Sequence, residues 1–174
     1  MIMLTTCDDG GGSGGGGTAA GTFTRIADLD SAGSYGGHFS TISATTHIQH
    51  LYTASQINGS GYITAIAFRS NEATTAKIHA SGVTVKMGHT GLSALTNTFA
   101  DNAEQGKGSL VTVLENKAIT VPVLAAGDYV TIRLATPFYY NGADNLVVDY
   151  IRDGTCDGSF YVSCDNGATA NGSL

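Results

Sequence analysis

Short runs rich in Val, Ile, Thr, Tyr and Phe recur along this chain, and each is closed by a cluster of Gly, Asn, Asp or Ser. The clearest are TFTRIADL at 22–29, HIQHLYT at 47–53, YITAIAFR at 62–69, VTVKMGH at 83–89, YVTIRL at 129–134, LVVDYI at 146–151 and GSFYVS at 158–163. β-branched and aromatic side chains suit a pleated, half-buried backbone, and the intervening residues supply turns. In YITAIAFR the alternation leaves apolar groups on both faces, which predicts an inner strand covered on each side. No strand–helix–strand alternation is present to suggest a parallel sheet. The pattern predicts an all-β protein: an antiparallel β-sandwich or jelly roll of about nine or ten short strands.

Two details refine that expectation. Residues 128–152 hold two apolar runs around Pro137 and the turn pair Asn141-Gly142, and read as neighbouring strands at the centre of a sheet. The runs 109–114 and 118–123 flank Glu115, Asn116 and Lys117 and read as a hairpin. The one helix expected, at most a short one, lies in 90–102, where Leu92, Leu95 and Phe99 recur at helical spacing and Thr90 can cap the start.

Composition removes several function classes. Only 13% of residues are charged, and eight Lys+Arg against fourteen Asp+Glu give a net charge of −6. A nucleic-acid binder needs a basic footprint to neutralise phosphates, and no Lys/Arg cluster exists here. No apolar run is long enough for a transmembrane segment. A low-charge chain rich in Gly and Thr suits a secreted or surface-exposed β-protein.

The N-terminus carries a separate signal. LTTC followed by DDGGGSGGGG resembles the processing site of a bacterial lipoprotein, with Cys7 as the candidate lipid anchor and a Gly-rich tether after it; a free thiol is the alternative. A formal G-x-S-x-G at 11–15 lacks the strand before it and the helix after it that a nucleophile elbow requires. The chain therefore divides into a tether at 1–17, a single β domain at 18–164 and a polar, Gly-rich tail at 165–174. Cys156 and Cys164 lack C-x₂-C spacing and a matched second ligand pair, so a disulfide across a short C-terminal hairpin is expected, with free thiols as the alternative.

Four segments in order, LYTASQINGSGYITAIAFR, VTVKMGHTGLSALTNTFADN, GKGSLVTV and TPFYYNGADNLVVDYIR, resemble β-sandwich modules of secreted and surface-exposed bacterial proteins. The resemblance spans 51–152. It implies a jelly-roll-like sandwich in an extracellular or cell-surface setting, and it carries no catalytic signature onto named residues.

Residue-level chemistry points the same way. His47 and His50 are three apart in a strand, hence on opposite faces, which argues against a shared metal. His89 is expected to bond a loop backbone, and His38 and His79 fall in turn-like segments. Asp153, Thr155, Asp157 and Gly158 mimic the front of a calcium loop, but Cys164 stands where the closing Glu belongs, so no cofactor is expected and calcium is the only candidate. No facing carboxylate pair and no Ser, His and acid trio stands out, so no enzymatic activity is expected. Tyr139, Tyr140 and Asp149 are candidate contact residues, Asp149 because it should face away from a core made by Val148 and Tyr150. The function expected is a non-enzymatic extracellular subunit that self-associates into a homo-oligomer or filament by adding 22–29, or another exposed strand, to a neighbour's sheet edge. The alternative is a lipid-anchored adhesion or carbohydrate-binding module whose partner is a polysaccharide.

Overall fold

A computed structural model describes residues 4–7, 22–24, 33–41, 45–104 and 110–164. Its strands are β1 (Leu4–Cys7), β2 (Thr22–Thr24), β3 (Gly33–Phe39), β4 (Thr45–Tyr52), β5 (Gly61–Arg69), β6 (Ile78–Thr90), β7 (Val111–Val121), β8 (Tyr129–Tyr140), β9 (Asn145–Asp153) and β10 (Phe160–Cys164). Two short helices, α1 (Ala54–Ile57) and α2 (Phe99–Glu104), interrupt them. The strands form one sheet in the order β2-β1-β5-β8, a second in the order β4-β9-β6-β7, and a two-stranded pair β10-β3. Every strand pairing is antiparallel, and a single bridge from Ser70 to Val162 joins the end of β5 to β10. No helix among the described residues is long and apolar enough to cross a membrane.

Period two explains the core. On β9, Leu146, Val148 and Tyr150 share a face with Val85 and Met87 of β6, their neighbours in register. They pack in one buried cluster with Ile63, Ile66 and Phe68 of β5 and Val130, Ile132, Phe138 and Tyr140 of β8. Each buried CH₂ contributes about 0.8 kcal/mol, so this apolar cluster, drawn from strands of both larger sheets, is the main source of stability. The pair β9–β6 stands at the centre of its sheet, whereas β8, the other strand of 128–152, stands at the edge of the opposite one. The expected adjacency of those two strands is therefore corrected: the Asn141-Gly142 turn carries the chain from one sheet to the other, with Gly142 at φ +75°.

Local expectations fail where tertiary pairing offers the backbone more. The hairpin expected around Glu115-Asn116-Lys117 is instead one strand, β7, laid along Ile78 to Met87 of β6. Asn116 takes a left-handed φ of 46°, and its N–H donates to Thr84 Oγ1 at 3.1 Å, so the turn signal is spent on a bulge. Thr90 ends β6 instead of capping a helix, and of the expected segment only residues 99–102 are helical, as the start of α2. The second helix went unexpected although its signal was present. Thr53 and Gln56 form a reciprocal capping box around α1, with Asn58 closing it in the left-handed conformation.

The N-terminal boundary also needs correcting. Residues 4–7, expected within the tether, form β1 and pair with β2 on one side and with Tyr62 and Ile63 of β5 on the other. An open strand edge on β5 gives LTTC backbone partners that a tether would lack. The Gly-rich stretch 10–17 and the tail 165–174 lie outside the described residues.

Candidate functional site

The middle of β9 carries the polar feature most worth building up. In register, Asp149 lies between Gln49 of β4 and Lys86 of β6, on the face opposite Val148 and Tyr150. The orientation matches the expectation, but the exposure does not: Asp149 is 4% exposed. Its cover is α2 and the segment before it. Gln49 Nε2 donates to Phe99 O at 3.2 Å, Asn102 Nδ2 donates to Gln49 Oε1 at 2.9 Å, and Asn145 Nδ2 donates to Leu92 O at 2.7 Å. Asn102 Oδ1 also accepts from Thr96 N at 2.7 Å, which closes the segment on itself. Asp149 is therefore not a surface contact residue.

His47 completes this cluster. Its Nε2 lies 2.6 Å from Asp149 Oδ1, and its ring stacks on Phe99 at 3.7 Å between centroids and 10° between planes. A buried carboxylate orienting a half-exposed imidazole is half of a base-activation device. The hydrogen bonds around it run to α2 and its approach segment, so the work the cluster does is to hold that segment on the sheet.

On the inner face, His50 meets His38 of β3. The rings stack with 7° between planes, and the two Nε2 atoms are 2.8 Å apart. One nitrogen must donate and the other accept, so the contact requires at least one neutral ring. Burial pushes His38 well below the usual imidazole value, and the neighbouring His50 adds to it. Burial likewise brings His50 down to about 3, and part of that residue's surface stays accessible. Tyr150 crosses the His38 ring edge-on and donates its hydroxyl to His38 O at 3.1 Å; burial raises its own pKa. His47 and His50 thus take opposite faces of β4, as their spacing requires.

The remaining histidines have local partners. His89 Nε2 accepts from Asn141 N at 3.1 Å, the loop-backbone bond expected of it. Asp157 accepts from His79 N at 2.6 Å and lies 2.8 Å from His79 Nδ1, and these bonds hold its carboxyl below the ordinary value. A carboxylate that would serve the calcium-like loop at its fifth position is thereby turned toward β6. Among the described residues no three His, Cys, Asp or Glu side chains gather as a metal site.

The tyrosines separate cleanly. Tyr139 is 55% exposed and Tyr140 is 0% exposed, because neighbours on a strand point to opposite faces. Tyr140 belongs to the core, where its hydroxyl donates to Asp144 O at 2.6 Å, and it drops out as a contact residue. Tyr139 instead meets Tyr62, its register partner on β5, edge-on at 5.3 Å; Tyr62 is 39% exposed. Tyr62 was missed in the sequence because the register that pairs it with Tyr139 jumps across an irregularity between Ile63 and Ala65.

Cys156 carries a free thiol, and its Sγ contacts Gly158 O at 3.1 Å. The C-terminal hairpin behind the expected disulfide does not form: Cys156 bridges to Ala80 of β6, while Cys164 pairs with Gly33 of β3. Cys7 stands opposite Tyr62 at the end of β1. The side chains of Cys7 and Cys164 lie outside the described residues. Arg152, also unremarked in the sequence, is fully buried and donates to Gly154 O, Ser40 O and Thr46 Oγ1, tying β9 to the exit of β3 and the start of β4.

No protein-family model, curated protein or solved structure matches this chain.

Proposed function

We propose that this protein is a non-enzymatic structural subunit of the cell exterior, a jelly-roll β-sandwich that self-associates by exchanging its N-terminal strand. The jelly-roll reading draws support from the strand order. With the Ser70–Val162 bridge counted, β3-β10-β5-β8 faces β4-β9-β6-β7, the alternation of a chain folded twice as a Greek key. The exchange reading rests on one observation. β1 holds the edge of β5 through only two register pairs, Thr6 with Ile63 and Cys7 with Tyr62.

Such a short ladder is weak, and the sequence gives β1 reach. Residues 8–32 separate it from β3, and 25 residues span at most about 80–90 Å when extended. A strand so tethered adds to a neighbour's β5 edge through the same backbone bonds it makes to its own, so exchange costs little enthalpy and propagates head to tail. This replaces 22–29 as the donor, since Thr22–Thr24 lies outside β1 in the same sheet. The low charge of the chain opposes such packing weakly.

Electron microscopy and light scattering on the full chain test this, with a Thr5→Pro/Thr6→Pro variant that removes two strand N–H donors. Wild type forms concentration-dependent fibres and the variant does not. Absence of polymer in the wild type at any concentration overturns the reading.

A second reading has its own observation in the exposed Tyr62–Tyr139 pair, an aromatic surface of the kind that binds sugar rings. In that case the chain is an adhesion module, lipid-anchored through Cys7, with a polysaccharide as partner. Glycan-array signal that disappears in Tyr62→Ala and Tyr139→Ala favours it, and a blank array removes it.

A further inference from the structure

Every sheet edge presents N–H and C=O groups that another strand can pair with, and proteins blunt such edges with bulges, Pro, Gly or charge. The edges here differ in that protection. β8 leaves the ladder between Phe138 and Arg133 and carries Pro137 in the looped-out stretch. β7 breaks register with β6 three times and holds Glu115 and Lys117 beside the left-handed Asn116. β3 contains three glycines in seven residues, and β2 is three residues long.

β4 is the exception. All eight of its residues, Thr45 to Tyr52, pair with β9 without a register shift. Its sequence, TTHIQHLY, has no Pro, Gly, Asp, Glu, Lys or Arg. It ends its sheet, and among the described residues no strand pairs with its second side.

We propose that β4 is the docking edge for a second copy of this chain, pairing antiparallel with its counterpart about a two-fold axis perpendicular to the sheet. The two four-stranded sheets then join as one eight-stranded sheet across the dimer. Antiparallel edge pairing is self-complementary, as an isologous contact requires. Side-chain parity fits as well. With Ile48 opposite Ile48 or His50 of the second copy, inner-face residues meet inner-face residues and His47, Gln49 and Leu51 meet their own kind outside.

Charge selects the copy over an unlike partner. The chain carries −6 overall, yet this edge carries no formal charge, so two acidic molecules meet here without like charges opposed. Two carboxylates lie one strand away from the contact: Asp149, in register with Gln49, is buried and held by His47, and Asp153, in register with Thr45, is exposed at the end of β9. An eight-residue edge falls below the standard interface size of roughly 1,200–2,000 Å², so the dimer is reversible, with a dissociation constant on the order of micromolar or weaker. It also differs in kind from head-to-tail β1 exchange: it closes in pairs, and a chain using both makes paired fibres.

Sedimentation velocity over a concentration series of the full chain reads the equilibrium, and hydrogen exchange locates it. Leu51→Lys sets a charge on the uncharged, half-buried outer face, opposite Thr45 or His47 of the second copy in these two registers, where pairing of the edges desolvates it. In the Thr5→Pro/Thr6→Pro background, where head-to-tail exchange is blocked, the chain shows a monomer–dimer equilibrium, amides of 46–51 gain protection with concentration while β7 amides do not, and adding Leu51→Lys weakens dimerisation by roughly tenfold or more. Thr5→Pro/Thr6→Pro leaves this dimer intact, which separates it from strand exchange. A wild type that stays monomeric at millimolar concentration overturns the proposal. So does a dimer that survives Leu51→Lys in a folded variant, or one lost in Thr5→Pro/Thr6→Pro, which assigns the contact to the N-terminal strand. If Leu51→Lys does not fold, the concentration dependence of exchange in the Thr5→Pro/Thr6→Pro background decides alone.

Discussion

Asp149 and His47 meet diagonally across β9 and β4 at 2.6 Å, with the carboxylate buried beneath α2 and the imidazole stacked on Phe99. Removing the imidazole strands a desolvated carboxylate and strips the stacking partner from Phe99 at once. His47→Ala therefore costs about 1–3 kcal/mol in urea unfolding, and hydrogen exchange accelerates over α2. Asp149→Asn keeps a hydrogen-bonding oxygen and costs less. Equal losses in the two variants would show that the pair is not what holds α2.

The His38–His50 contact predicts an acid-sensitive fold. Folded-state pKa values are depressed below 6.5 by burial, to about 3 for His50, so the unfolded chain takes up protons first as the pH falls. Stability from the neutral pair is fully present above pH 6.5 and is lost as the pH falls toward the folded value. His50 alone removes ~2 kcal/mol between pH 7.5 and pH 5. Urea midpoints at the two pH values measure this, and His50→Gln flattens the slope. A midpoint unchanged from pH 7.5 to pH 5 would contradict it.

How far the sequence reached can be read from particular residues. Strand-forming runs such as 62–69 and 146–151 were legible because their period is local and two-fold. The face of Asp149 was legible for the same reason, but its burial was not. That burial depends on Gln49 and Asn102 meeting from opposite sides of a 53-residue separation, which no local pattern encodes. Tyr139 and Tyr140 were indistinguishable until β8's register was fixed, and the irregularity at Ile63/Ala65 hides that register. Asn116 misled because a left-handed residue serves a turn and a bulge equally well; only the long ladder on β6 decides between them.

Gly82 sits at φ +70° where β6 passes the end of β9, and a Cβ built there would lie 2.3 Å from Asp153 O. Both the backbone angle and the close approach exclude a side chain. Gly82→Ala destabilises by at least ~2 kcal/mol, from left-handed strain together with displacement of the β9 backbone. Gly91, with open space around its Cβ position, serves as the control, and Gly91→Ala changes the urea midpoint little. Similar midpoints for the two variants would mean that β6 and β9 do not cross this closely.

Cys156 gives the sharpest test of the C-terminal architecture. Were it half of a structural disulfide, its removal would cost about 2–5 kcal/mol. As a free thiol whose strand bridges to Ala80 while Cys164 pairs with Gly33, it loses only the contact to Gly158 O and a little packing. Cys156→Ala in non-reducing buffer therefore shifts stability by less than ~1.5 kcal/mol. The non-reduced wild type likewise keeps its melting temperature when reductant is added. A drop of several kcal/mol in the variant, matched by an equal drop on reducing the wild type, would restore the disulfide and with it a C-terminal hairpin in place of the β10–β3 pairing.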